Sequence, residues 1–240
     1  MTKRLAGIAI ALCVWSLPVA AAGEPFRTLS PAENGPHPAT LLVPGCSGFA
    51  ANNGINYNLY EERAAELHAA GYVVVFVDYV GRRMQGNCAH VSQAEVSADI
   101  LEAATWARTQ PGVDQSRISV IGWSYGAGGV LTALKTMPVP PAFTKVVLYY
   151  PVCRGAAPWS AAVTGLMLLG ERDDIAFPDL CSAVGKAMPA ERLRMIMYPG
   201  ARHGFDMRVL SEGDRQPFGA PGYNADAAIA SWVAVREFLK

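Results

Sequence analysis

The sequence predicts an α/β fold, a mostly parallel central sheet with helices on both faces. Two observations carry this. Short, nearly continuous apolar runs recur along the chain, and longer segments of helical pattern fall between them. Apolar runs that do not alternate with polar residues mark strands buried on both faces, as in a parallel sheet covered by helices. The alternation of strand and helix selects that architecture over all-β or segregated ones. Length agrees with one domain, because 240 residues with 51% hydrophobic and 17% charged side chains can bury a sizeable core. Twenty Lys and Arg against twenty Asp and Glu leave no excess of positive charge for nucleic acid, and that partner class is set aside.

Taken in order, residues 1–22 read as a secretory leader and not as structure. Lys3 and Arg4 form a positive head, 5–17 is apolar, Pro18 breaks the run, and Ala20 to Ala22 offer small residues for cleavage. The run is shorter than the roughly 20 apolar residues of a membrane span, so no stable membrane anchor is expected. The domain proper is then 23–240, and the expected location is secreted or periplasmic. Strands are predicted over 39–43, 72–77, 118–121, 145–149, 166–169 and 193–197, with an edge strand near 26–30. Helices are predicted over 57–70, ended by Gly71, over 91–110, stopped by Pro111, and over 125–135, 179–188 and 225–239. Neither a repeat nor a linker divides them.

The strongest chemical signal is Gly122-Trp123-Ser124-Tyr125-Gly126, which follows the predicted strand 118–121 and opens a helix. A serine is a poor nucleophile until a base takes its proton and the backbone presents it exposed. A tight strand-to-helix turn does the second, and flanking glycines let the turn close. On such a sheet the chain order of a triad is Ser, acid, His. His37, His68 and His90 precede Ser124, so His203 is the eligible base. The acid belongs at a strand end between them. Gly170-Glu171-Arg172-Asp173-Asp174 supplies Glu171, Asp173 and Asp174, and position alone does not separate them.

Developing negative charge needs two backbone N–H groups. Tyr125, the residue after the nucleophile, supplies one. Pro44-Gly45-Cys46-Ser47-Gly48, after the strand 39–43, supplies the other, and Cys46 is its natural donor. Arg82, with Arg83 beside it, and Trp123 inside the elbow are the candidate substrate contacts.

The elbow, Gly-x-x-Asp after a strand, and His-Gly-Phe after Tyr-Pro-Gly together resemble the dienelactone hydrolase-like group of α/β-hydrolases, over nearly the whole mature chain. The resemblance implies Asp173 as the acid and the Cys46 and Tyr125 amides as the oxyanion hole. It is similar to the serine-esterase side of that group, because Ser124 stands where the founding enzymes use cysteine. Pro44 replaces the usual histidine before the oxyanion-loop glycine. About 15 residues separate Tyr149 from the next strand, too few for a cap domain.

Without the leader four cysteines remain, Cys46, Cys88, Cys153 and Cys181, an even count that suits two disulfides in an exported protein. In this sheet type the strands before Cys46 and Cys88 are neighbours, as are those before Cys153 and Cys181, so these are the expected pairs. With the cysteines paired no cluster has metal spacing, and neither a metal nor an organic cofactor is implied. The expected function is a serine hydrolase of small-molecule carboxylic esters or lactones, acting through an acyl-enzyme. The alternatives are an exported peptidase or polyester hydrolase on the same fold, and an inactive binding module.

Overall fold

The computed structural model describes residues 24–49, 58–159, 161–210 and 219–240. The leader expected over 1–22 and the first residue of the predicted helix 57–70 lie outside them. The described strands are β1 (Arg27–Leu29), β2 (His37–Val43), β3 (Val73–Phe76), β4 (Val113–Trp123), β5 (Lys145–Tyr149), β6 (Thr164–Gly170) and β7 (Leu193–Tyr198). They form one sheet in the order β1-β3-β2-β4-β5-β6-β7. Only the edge pair β1–β3 is antiparallel; the other five pairings are parallel. Helices α1 (Asn58–Ala69), α2 (Gln93–Thr109), α3 (Ser124–Lys135), α4 (Pro178–Ala187) and α5 (Ala225–Leu239) cover it.

Strand alternation divides the core into two layers. Leu41, Val120, Val146 and Leu148 face one side, packing with Val96, Ile100, Val130 and Val184 of α2, α3 and α4. Leu42, Ile121, Val147 and Tyr149 face the other, with Leu59, Ala64, Trp232 and Val235 of α1 and α5. The predicted α/β class is therefore the observed one. Strand β4 starts earlier than the apolar pattern indicates, because its first part carries half-buried Asp114 and exposed Gln115, Ser116 and Arg117. Helix α2 starts at Gln93, where Ser92 and Glu95 form a capping box, a device worth about 1 kcal/mol. Between β5 and β6 the described chain is irregular, with no inserted helix.

Cys46 bonds to Cys88 and Cys153 to Cys181, with Cα separations of 4.7 and 5.2 Å. Each pair joins segments that follow adjacent parallel strands, β2 with β3 and β5 with β6. Both therefore lie on the sheet edge where the strands end. Peptide mapping of unreduced protein should return these two links. Replacing Cys153 and Cys181 together by serine should lower the urea-unfolding free energy by about 2–4 kcal/mol, through release of loop-closure entropy in the unfolded chain. A loss under about 1 kcal/mol would mean that this bridge constrains the unfolded state little.

Candidate active site

Ser124 follows the last residue of β4 and begins α3, and its backbone has φ +49°, a left-handed conformation that costs a non-glycine residue about 1–3 kcal/mol. The turn is this sharp because its glycines let backbone meet backbone. A β-carbon at Gly122 would lie 2.8 Å from Ala127 Cα, and one at Gly126 would lie 2.2 Å from the Pro44 carbonyl oxygen. The elbow is thus pressed against the start of the 44–48 loop. A β-carbon at Gly45 would stand 3.6 Å from Ser124 Cβ, which shows how near that loop comes to the serine.

His203 follows β7 and turns its imidazole between two partners. Nε2 lies 2.8 Å from Ser124 Oγ, and Nδ1 lies 2.8 Å from Asp173 Oδ2. An ionised carboxylate only accepts, so Nδ1 carries the proton and Nε2 is left to accept the Ser124 hydroxyl. Asp173 cannot swing away, because its Oδ1 accepts the backbone N–H groups of Ile175 and Ala176 at 2.9 and 2.8 Å. Both Asp173 and His203 are buried.

All three acidic candidates of the β6 loop reach across to the β7 loop, each to a different partner. Glu171 accepts the Gly200 N–H at 3.0 Å, Asp173 holds His203, and Asp174 pairs with Arg202 at 3.2 Å. Backbone bonds from Glu171 N to Tyr198 O and from Arg172 N to Ala201 O run between the same loops. The two loops are thus held at several points, with the Asp173–His203 and Asp174–Arg202 contacts crossed in order. Asp173 is the one that faces the imidazole.

A cavity of about 170 Å³ opens over Ser124 and His203, lined by Cys46, Tyr60, Tyr150, Met207, Leu210 and Pro221 among others. Cys46 thus lies in the wall of the same cavity as Ser124. Arg82 and Trp123, the expected substrate contacts, are not among the described residues that line it. Arg82 donates to Glu102 at 2.9 Å and stacks over Phe26, drawn to α2 by its acidic residues. Arg83 pairs with Asp99 in the same way. Trp123 is fully buried, stacked on Tyr149, because the residue before Ser124 points into the opposite core layer.

A buried polar network escaped sequence reading. Asp206 accepts the Tyr150 hydroxyl at 2.6 Å and the Trp123 Nε1–H at 3.0 Å, and the Tyr150 ring lies 4.6 Å from the His203 imidazole. The available signal was an acid three residues after His203 in an otherwise apolar stretch. Burial raises the Asp206 carboxyl above the ordinary carboxylate value, with the two hydrogen bonds pulling the other way.

Strand order, elbow and acid–base chain together define an α/β-hydrolase. Comparison places it further. The chain matches the dienelactone hydrolase family over residues 28–240 and belongs to that family. A putative dienelactone hydrolase from Klebsiella pneumoniae superposes with a TM-score of 0.66 at 18% identity, covering 88% of this chain and 90% of that one. A dienelactone hydrolase-like promiscuous phosphotriesterase from metagenomic libraries superposes with a TM-score of 0.65 at 21% identity, covering 86% and 87%. In sequence the chain is 36% identical over 105 residues to a probable dipeptidyl-aminopeptidase B of Paracoccidioides lutzii. That match takes in 40% of this chain and only 10% of the relative's length.

The raised Asp206 carboxyl sets a signed expectation. The folded state holds this proton to higher pH than the unfolded state does. The group therefore adds stability at low pH, and that contribution is lost as pH rises through the folded value. Asp206→Asn offers one acceptor oxygen to two buried donors, so it should cost about 1–3 kcal/mol near neutral pH. The gap from wild type should widen on acidification toward the ordinary carboxylate range. Urea unfolding of both proteins across that range checks it, and a gap that narrows would contradict the assignment.

Proposed function

We propose that the chain is an exported serine hydrolase of small, uncharged carboxylic esters or lactones. The observation that carries this reading is the continuous Ser124–His203–Asp173 hydrogen-bond chain, opening on a small and largely apolar cavity. Ser124 Oγ attacks the carbonyl carbon while His203 Nε2 takes its proton, and Asp173 stabilises the imidazolium. The oxyanion is received by the Cys46 and Tyr125 amides. His203 then protonates the departing alcohol, and the acyl group remains on Ser124. Water activated by the same imidazole releases the acid and restores the serine.

Cavity size and lining favour a short acyl group without charge. About 170 Å³ lies below the roughly 300–1,000 Å³ of pockets for drug-sized ligands. Apart from His203, no Asp, Glu, Lys or Arg lines the cavity among the described residues. A carboxylate-bearing lactone would lack a cationic partner there, and a free peptide amine would lack a carboxylate. The peptidase reading draws on a match to a tenth of a longer relative. Export is supported by the leader pattern over 1–22 and by two disulfides, which persist in oxidising compartments.

A fluorophosphonate probe should label wild-type protein at Ser124 and leave Ser124→Ala unlabelled. Ser124→Ala and His203→Ala should each lower kcat on a short p-nitrophenyl ester by several orders of magnitude, with the fold intact by circular dichroism. Asp173→Asn should fall by about 10⁴ through loss of the required tautomer, and Asp174→Asn by far less. Retention of more than about a tenth of the activity in His203→Ala would end the triad reading. Faster turnover of aminoacyl amides than of short esters would turn the assignment to a peptidase.

A further inference from the structure

Building on the hydrolase reading, we propose that Tyr79 is a positioning residue that aims the Cys46 N–H into the oxyanion site. Tyr79 follows β3 and is fully buried. Its hydroxyl donates to the Gly45 carbonyl oxygen at 2.8 Å, and the Gly48 N–H donates to the same oxygen at 3.0 Å. The Gly45 carbonyl and the Cys46 N–H belong to one peptide group, and that group is trans. In a trans peptide the two bonds point in opposite directions. Fixing the carbonyl toward Tyr79 therefore fixes the Cys46 N–H away from it, toward the cavity that Cys46 lines with Ser124.

The surroundings hold this arrangement from several sides. The Gly45 N–H donates to Tyr60 Oη at 2.9 Å, so the preceding peptide is also held. The Cys46 carbonyl accepts the Cys88 N–H at 2.8 Å beside the Cys46–Cys88 bridge. Arg83 Nη1 donates to the Tyr79 carbonyl at 2.9 Å, anchoring the tyrosine's own backbone. Its ring lies 6.3 Å from that of Tyr125, the residue of the second proposed donor. Burial raises the Tyr79 phenol further above its ordinary value, with Tyr60, Tyr125 and Asp78 acting in the same direction, so it remains a donor. A donor on the carbonyl also polarises the N–H of the same peptide, as in a hydrogen-bond chain.

The test is Tyr79→Phe, which removes only the hydroxyl. Loss of an oxyanion donor outright costs about 10²–10³ in kcat, so misaiming one should cost about ten- to hundredfold. Rates are normalised to the fraction of Ser124 labelled to completion by a fluorophosphonate, so that only competent protein is counted. The expected result is that kcat on a p-nitrophenyl ester falls by that factor with KM within about twofold. A trifluoromethyl ketone, whose adduct carries the oxyanion, should bind more weakly by a similar factor, and the pH midpoint of kcat/KM should not move. A variant matching wild type in kcat and in ketone affinity would overturn the assignment. So would a loss in which KM and the pH midpoint shift along with kcat, because that marks a general disturbance. Wild-type protein that is neither active nor labelled would instead overturn the hydrolase reading on which the proposal stands.

Discussion

The contact on which the site depends is backbone against backbone, where Gly126 meets the Pro44 carbonyl. A side chain at 126 would occupy the space of that oxygen. The absence of one lets the loop after β2 close onto the turn after β4, strands that are already parallel neighbours. Ser124 is thereby held in a left-handed conformation beside Gly45, and the 44–48 loop becomes a wall of its cavity. Other features of the site refine this closure. Tyr60 and Tyr79 grip Gly45 from two sides, and Cys88 holds Cys46 by a covalent and a hydrogen bond.

The other half of the site is built by a different device. The loops after β6 and β7 are tied to each other by side chains as well as by backbone bonds. Three acids of one loop engage three partners of the other, Glu171 with Gly200, Asp173 with His203 and Asp174 with Arg202. The imidazole is also flanked by Tyr150, itself held by buried Asp206. In the proposed reaction the imidazole exchanges protons in both directions, which needs a constant ring orientation. Here that orientation is set from the carboxylate side and from the ring face together.

The strand and helix pattern was legible in sequence because most strands are buried on both faces, so their apolar runs stand out. Strand β4 overran its prediction where Asp114 to Arg117 leave the covered part of the sheet. Ser124 and His203 were readable from local motif and chain order, since only one histidine follows the serine. The choice of Asp173 came from family resemblance, because Glu171, Asp173 and Asp174 are alike in sequence and differ only in what lies opposite each. Tyr79 and Tyr60 carried no local signal, and Asp206 only that of an acid in an apolar stretch. Their partners Gly45 and Tyr150 lie 15 to 56 residues away, and only packing brings them together. The surroundings of Arg82 and Trp123 were hidden for the same reason, since acids on α2 and the opposite core layer hold them.

Both disulfides lie on one edge of the sheet, and this has a practical side. The opposite edge carries the starts of the strands, where the Lys145 ammonium and the Tyr72 hydroxyl bind carbonyls at the end of α5. Attachment of the protein to a bead or sensor surface through the end of α5 would put the anchor on that edge. Ser124 and its cavity would then face away from the support, with the cross-linked rim presented to solution.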